Sequence, residues 1–138
     1  MQCSDMMKGQ PEYIGPKAVV CEAAQRMLEK NIGFLPVCDS TGVAIGTVTD
    51  RDLAVRVVAK GLPATTQVGD VMTQEVVTCR TTDDLERAKT LMARHQKSRI
   101  MCVDEMGRLV GVISLSDIAR ESDASDILSR VAARESHV

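Results

Sequence analysis

The sequence predicts an α+β or mixed α/β fold built from two β-α-β-β-α repeats and a C-terminal helix. Two observations favour this fold. The chain matches itself without gaps when it is shifted by 65 residues. Within each repeat, short apolar runs alternate with segments whose apolar residues recur at helical spacing. Two repeats are too few for a solenoid, so we expect the repeats to bury their apolar faces against each other.

The self-match places nine identical pairs in the 52 aligned positions that begin at Asp5 and end at Arg56. Ordinary composition would give roughly three by chance. Many of the matches are glycines or aspartates at predicted turns. The identical pairs are Asp5/Asp70, Met7/Met72, Ala23/Ala88, Met27/Met92, Asp39/Asp104, Gly42/Gly107, Gly46/Gly111, Asp52/Asp117 and Ala54/Ala119. The sequence therefore divides into a first repeat (1–65), a second repeat (66–121) and a tail (122–138).

The first repeat contains a helical stripe, two strands and a second helix. Apolar residues at helical spacing over 20–28 predict the first helix. The apolar run 34–38 predicts a buried strand, and the turn 39–42 leads to a second strand over 43–48. A helix over 50–60 follows and is expected to end at the next glycine and proline.

The second repeat has the same order of elements. Its predicted elements are a strand over 75–79, a helix over 83–95, strands over 99–103 and 109–113, and a helix over 116–121. The tail carries a further helical stripe made of Ile127, Leu128, Val131 and Ala132. This tail helix is expected to pack on its own chain, with a dimer contact as the alternative.

Composition excludes several classes of function. The chain has 138 residues, a net charge of −2 and 1% aromatic residues, which argues against a nucleic-acid-binding surface. No apolar run approaches the roughly 18 residues of a membrane span, and the N-terminus lacks a signal-peptide core. Five cysteines without a C-x-x-C motif and two histidines predict neither a disulfide framework nor a metal site. The lack of a membrane span and of a signal-peptide core leads us to expect a cytoplasmic protein. No nucleophile–base set is present, so we do not expect an enzyme.

Both repeats place the same polar motif between their last strand and last helix. The motif is a glycine, two residues, a hydroxyl residue, two residues and an aspartate, ending at Asp52 and at Asp117. A helix start attracts anions such as phosphate, and a carboxylate can accept hydrogen bonds from two ribose hydroxyls. Helix capping is the simpler interpretation of one copy. Because a helix cap does not need both a hydroxyl and a carboxylate, the doubled motif favours a ligand site.

In its ordered motifs the chain resembles a tandem pair of CBS (cystathionine-β-synthase type) domains, a Bateman module. The matching segments of repeat one are Asp5-Met6-Met7, Ile32-Gly33-Phe34-Leu35-Pro36-Val37, Asp39, Gly42 and Gly46-Thr47-Val48-Thr49-Asp50-Arg51-Asp52-Leu53. Those of repeat two are Asp70-Val71-Met72-Thr73, Asp104, Gly107 and Gly111-Val112-Ile113-Ser114-Leu115-Ser116-Asp117-Ile118. The resemblance covers the whole chain except the last helix.

The resemblance implies a regulatory module that binds an adenine nucleotide, or NAD or S-adenosylmethionine, in a cleft between two repeats of pseudo-twofold symmetry. The implied ribose and phosphate contacts are Asp52 and Asp117 on ribose, Thr49 and Ser114 on ribose or phosphate, and Arg51 and Ser116 near phosphate. The implied adenine slots are Val77, Ser98 and Arg99 facing Asp52, and Ile14, Ile32 and Phe34 facing Asp117.

The Asp52 site is expected to be the better equipped for phosphate. Arg51 and Arg99 supply guanidinium groups there, whereas the Asp117 site has the uncharged Leu115 and Ser116 before its aspartate, with Ser116 in the position that matches Arg51. For both arginines a solvated surface role is the alternative. We expect no obligatory cofactor, a homodimer, and a signal passed by conformational change to a partner protein. A structural or redox-responsive dimer with a vestigial cleft is the alternative function.

Overall fold

A computed structural model describes residues 1–121 and Val131 of the chain. In chain order the elements are α1 (Cys3–Met6), β1 (Lys8–Gly9), α2 (Val20–Lys30), β2 (Phe34–Cys38), β3 (Ala44–Thr49), α3 (Asp50–Leu53), a π-helical segment (Ala54–Val58), α4 (Val68–Val71), β4 (Thr78–Arg80), α5 (Leu85–His95), β5 (Arg99–Val103), β6 (Leu109–Ser114) and α6 (Leu115–Glu121).

The chain forms two compact units, which we name by their sequence. The central unit is Glu12–Val76, and the split unit combines Met1–Pro11 with Val77–Val138. The opening segment of each sequence repeat therefore folds with the other repeat. The sequence repeats are divided between residues 65 and 66. The compact units divide the same chain at other positions.

The central unit is organised around the antiparallel hairpin of β2 and β3. A third extended segment adds one parallel bridge at Ile14, whose N–H donates to the carbonyl of Pro36 while its own carbonyl accepts from the N–H of Cys38. Gly15 and Pro16 follow directly, and both disfavour a longer strand. The first strand expected in repeat one is thus reduced to a single bridge. The fully or nearly fully buried core of this unit includes Ile14, Val20, Ala23, Met27, Leu35, Val37, Val48, Val57, Val68 and Val71.

The split unit contains a four-stranded sheet in the order β1-β6-β5-β4. Strands β5 and β6 form an antiparallel hairpin, β4 runs parallel to β5, and β1 pairs with β6 at the other edge. Its core includes Cys3, Cys79, Leu85, Ala88, Met92, Ile100, Cys102, Ile113, Leu115, Ile118 and Val131. The remainder of the predicted tail helix lies outside the described residues.

The predicted hairpin strands are confirmed, and the helix that follows the first hairpin differs from its prediction. Strands β2 and β5 have the predicted bounds. The helix predicted over 50–60 is α-helical only for its first turn and then widens into the π-helical segment. There the N–H of Ala59 donates to the carbonyl of Ala54, five residues earlier. No proline or glycine stands inside this stretch to mark the change.

Two one-turn helices, α1 and α4, complete the units and were not predicted. Each is followed by a methionine whose sulfur lies against a repeated glycine. A Cβ on Gly111 would lie 2.5 Å from the sulfur of Met7, and one on Gly46 would lie 2.8 Å from that of Met72. The repeated methionines and glycines of the sequence are therefore packing partners.

Candidate functional site

The first repeated aspartate, Asp52, stands in the first turn of α3. Strand β3 ends in extended conformation at Thr49, which is the N-cap of this helix. The N–H of Asp52 donates to the Thr49 hydroxyl at 3.1 Å, and the N–H of Thr49 donates to the Asp52 carboxylate at 3.0 Å. This reciprocal arrangement is a capping box.

The capping box contradicts the inference from sequence that a helix cap does not need both a hydroxyl and a carboxylate three residues apart. Thr49 and Asp52 show that the cap of α3 uses both. The doubled motif alone therefore does not distinguish a ligand site from two capped helices, and the ligand role has to rest on other features.

The Asp52 carboxylate has further partners inside the central unit. The hydroxyl of Thr73 donates to it at 3.4 Å, and the Nε of Arg56 lies 3.8 Å from its Oδ1. The same arginine donates to the carbonyl oxygens of Val71 and Met72. Arg56 therefore joins α3 to the last residue of α4 and to the residue that follows it.

The second aspartate, Asp117, lies in the first turn of α6. Its N–H donates to the Ser114 hydroxyl at 3.2 Å, and that hydroxyl lies 3.0 Å from the hydroxyl of Ser116. Arg120 forms an ion pair with Oδ1, and the Nζ of Lys8 lies 3.9 Å from the same oxygen. The other oxygen, Oδ2, is buried and has no hydrogen-bond partner among the described residues. Asp117 is only 5% exposed.

The surroundings of Asp117 favour its charged form. Burial acts to raise its pKa, but the neighbouring Ser114 and the charges of Lys8 and Arg120 outweigh that effect. The pKa of Asp117 is therefore lowered from its ordinary value of 3.8. A carboxylate with a lowered pKa contributes stability that is lost only as the pH falls through its folded pKa. Asp117 is thus an anion at neutral pH.

The residues that contact the two aspartates include four that the sequence analysis missed. Arg56 and Arg120 lie one helical turn after Asp52 and Asp117, where helical spacing alone could have identified them. Thr73 and Lys8 come from the segments after α4 and α1. These two residues match each other at the 65-residue offset. They therefore occupy equivalent positions in the two repeats.

The other predicted site residues have varied burial within their own units. Arg51, Arg99 and Ser116 are exposed, and Ser98 is half-buried with its carbonyl accepting from the N–H of Leu115 at 2.7 Å. Val77 packs on the core of the split unit and Ile32 on that of the central unit.

Strand register brings some of these residues together within a unit. Phe34 is paired with Thr49 across the β2–β3 hairpin, and Arg99 is paired with Ser114 across the β5–β6 hairpin. Ile14 is 2% exposed in the central core. The predicted adenine slots each combine residues of one unit with an aspartate of the other, and they stay predictions.

Two further observations concern metals and membranes. Within residues 1–121 and at Val131, no three His, Cys, Asp or Glu side chains form a group that could hold a metal ion. Over the same residues, no helix has the length and apolar character required to cross a membrane.

Comparison with known proteins gives a consistent family. The CBS domain model matches residues 3–59 and 68–124. The CBS domain-containing protein YhcV of Bacillus subtilis (strain 168) is 40% identical over 115 residues, which cover 83% of this chain and 81% of that protein. Hypoxic response protein 1 of Mycobacterium tuberculosis (strain ATCC 25618 / H37Rv) is 32% identical over 117 residues, covering 84% and 81%.

Solved structures show the same fold. Hypoxic response protein I with two coordinated zinc ions has a TM-score of 0.81 at 29% identity, covering 88% of this chain and 99% of that one. CBSX2 in complex with AMP has a TM-score of 0.76 at 26% identity, covering 87% and 94%. The CBS domain pair of MJ0100, in complex with 5′-methylthioadenosine and S-adenosyl-L-methionine, has a TM-score of 0.77 at 25% identity, covering 87% and 94%. The predicted fold class and family resemblance are confirmed.

Proposed function

Because this chain belongs to the CBS domain family, we propose that it is a regulatory module that binds an adenosine-containing nucleotide and signals to a partner protein. CBSX2 and MJ0100 support the ligand class, since AMP, 5′-methylthioadenosine and S-adenosylmethionine share an adenosine group. The common ribose carries two neighbouring hydroxyls. A carboxylate can accept both of their hydrogen bonds.

The buried oxygen of Asp117 is the observation that carries this proposal. A buried acceptor that lacks a donor costs free energy, on the order of 1–3 kcal/mol. Oδ2 of Asp117 is such an acceptor among the described residues, and its partner oxygen is already occupied by Arg120 and Lys8. A ribose hydroxyl of a bound nucleotide would supply the missing donor. By duplication, Asp52 is proposed to hold ribose in the matching position.

The cations near the two aspartates differ. Among the described residues, Asp117 has two ion-pair partners, and Asp52 has one, Arg56. We retain Arg51 and Arg99 as proposed phosphate contacts because both are exposed guanidinium groups. Thr49, Ser114 and Ser116 remain proposed hydroxyl donors to ribose or phosphate.

The same proposal has three further parts. The protein acts as a homodimer, it works in the cytoplasm, and it transmits a signal without catalysing a reaction. The regulatory role is supported by what is typical of the family. The other two parts are expectations from the resemblance and from composition.

A thermal-shift titration tests the ligand. AMP, ADP, ATP, NAD and S-adenosylmethionine are added separately to the full chain, and the midpoint of unfolding is measured. A ligand at 100 times its dissociation constant stabilises the folded state by about 2.7 kcal/mol. We expect at least one adenosine ligand to raise the midpoint, and the 2′,3′-dideoxy form of the same nucleotide to have little effect, because it lacks both ribose hydroxyls.

Substitutions then test the two sites. Asp117→Ala and Asp52→Ala are each expected to reduce the ligand-induced shift, measured against the unliganded midpoint of the same variant. Asp50→Ala is the matched control, because Asp50 is an exposed aspartate in the same helical turn as Asp52. The proposal fails if no adenosine ligand shifts the midpoint, or if the dideoxy and ribose forms act equally on every protein.

A further inference from the structure

Three cysteines are buried together in the core of the split unit. Cys79 on β4 and Cys102 on β5 are paired in register, and their sulfur atoms lie 3.5 Å apart. Cys3, in α1, belongs to the same core cluster and is fully buried. The exposed fractions of Cys79 and Cys102 are 2% and 0%. Cys21 is exposed and Cys38 is a buried residue of the central unit.

The internal duplication shows which residues occupy the equivalent three positions in the central unit. At the 65-residue offset, Cys79, Cys102 and Cys3 match Ile14, Val37 and Val68. Those three residues are buried in the core of the central unit, with exposed fractions of 2%, 0% and 0%. A core of this fold can therefore fill all three positions with branched aliphatic side chains. The split unit has sulfur at every one of them.

Strand geometry allows Cys79 and Cys102 to form a disulfide. Neighbouring strands lie about 4.8 Å apart, which is within the separation of Cα atoms that a disulfide spans. Directly paired residues of parallel strands point to the same face of the sheet. Closing the present sulfur separation to a covalent bond therefore requires side-chain rotation and a small backbone adjustment, without a change of register.

A pocket lies beside one member of this pair. A cavity of about 450 Å³ in the split unit is lined by Cys79 together with the polar side chains of Arg80, Asp83, Arg87 and Asp104. Cys102 does not line it. Cys79 is thus the member of the pair that borders the pocket, and its exposed fraction is 2%.

We propose that Cys79 and Cys102 are a modification site, a dithiol that hydrogen peroxide converts to a disulfide. The Cys79 thiolate attacks the peroxide, the O–O bond breaks, and Cys79 becomes a sulfenic acid with release of one water after proton transfer. The Cys102 sulfur then displaces the hydroxyl of the sulfenic acid, forming the S–S bond and a second water. Two thiols lose two hydrogens and two electrons, and one peroxide is reduced to two waters.

The surroundings of the pair predict how its reaction depends on pH. The hydrogen bond with Cys102 and burial both raise the pKa of Cys79, and burial raises the pKa of Cys3 to about 12. The thiolate is the reactive form, so its fraction is small at neutral pH. The oxidation is therefore expected to be slow at neutral pH and to accelerate as the pH rises.

Mass spectrometry tests the proposal. The reduced full chain is exposed to hydrogen peroxide under native conditions, its free thiols are blocked, and the digested protein is mapped without reduction. We expect a linked pair of peptides containing Cys79 and Cys102, a loss of two hydrogens from the chain, and faster linkage at alkaline pH. A Cys3→Val variant should still form the link.

The control is a Cys79→Ile, Cys102→Val variant, which carries the residues of the central unit at both positions. It should form no linked peptide within the split unit, and oxidation should raise the unfolding midpoint of the wild type but not of this variant. The wild-type map decides the question even if the variant does not fold. The proposal is overturned if Cys79 and Cys102 stay reduced while Cys21 is oxidised, or if Cys79 links to Cys3 instead.

Discussion

At the scale of single residues, two glycines are required by the methionines that pack on them. At Gly46 a Cβ would lie 2.7 Å from the carbonyl oxygen of Thr73 and 2.8 Å from the sulfur of Met72. At Gly111 the nearest atom is the sulfur of Met7, and the nearest backbone atom lies 3.1 Å away. A methionine side chain can rotate away from such a contact, whereas a backbone carbonyl in a paired segment moves only if the chain shifts.

We therefore expect Gly46→Ala to destabilise the protein more than Gly111→Ala does. Overpacking of a core costs about 1–3 kcal/mol, and Gly46→Ala should lie in that range, with Gly111→Ala near its lower end. Urea unfolding measures both. Gly15→Ala is the control, because no other described residue outside its chain neighbours lies within 4 Å of the added methyl group. Combining Met7→Ala with Gly111→Ala should cost less than the sum of the two changes, and equal costs at both glycines would contradict this account.

At the scale of elements, strong local patterns were predictable and short or irregular elements were not. Strand β2 is a continuous apolar run and strand β5 is apolar after Arg99. Each ends at a turn that begins with an aspartate and contains a glycine, so the end of each strand follows from the sequence. Helices α1 and α4 are single turns, too short for a periodic pattern. The π-helical segment Ala54–Val58 has no proline or glycine that would mark it. Arg56, within that segment, donates to the carbonyl of Val71, the last residue of α4, which lies 15 residues away in sequence.

The capping box at α3 leads to a prediction at the same scale. Thr49→Ala removes the oxygen that accepts the N–H of Asp52, and loss of such a cap costs about 1 kcal/mol. Thr49→Ser keeps the hydroxyl and should restore most of that stability. Thr65→Ala, at an exposed position in the loop before α4, should change it by less than about 0.5 kcal/mol. Urea unfolding compares the three variants, and equal stabilities for Thr49→Ala and Thr49→Ser would show that the cap contributes nothing.

At the scale of the whole molecule, the sequence predicts the positions of the two aspartates but not all of the residues that contact them. The position of each aspartate, after a strand and in the first turn of a helix, follows from local sequence. Their partners Thr73 and Lys8 do not, because each comes from the opening segment of the other sequence repeat. That exchange of segments is a property of how the chain divides into compact units, and no local pattern encodes it.

The exchange predicts that the N-terminal segment is part of the core of the split unit. Residues 1–11 contribute the buried Cys3, the packed Met6 and Met7, and the strand β1 that covers the edge of β6. Their deletion should cost on the order of 3 kcal/mol, because fully burying an apolar side chain such as Met contributes about 1.5–3 kcal/mol. Hydrogen exchange followed by mass spectrometry should show lost protection in β6, with the β2–β3 hairpin of the central unit retained. A synthetic peptide of residues 1–11, added to the truncated chain, should restore protection in β6, and a scrambled peptide should not. Unchanged exchange in β6 after deletion would mean that β1 and the segment before it do not stabilise this sheet.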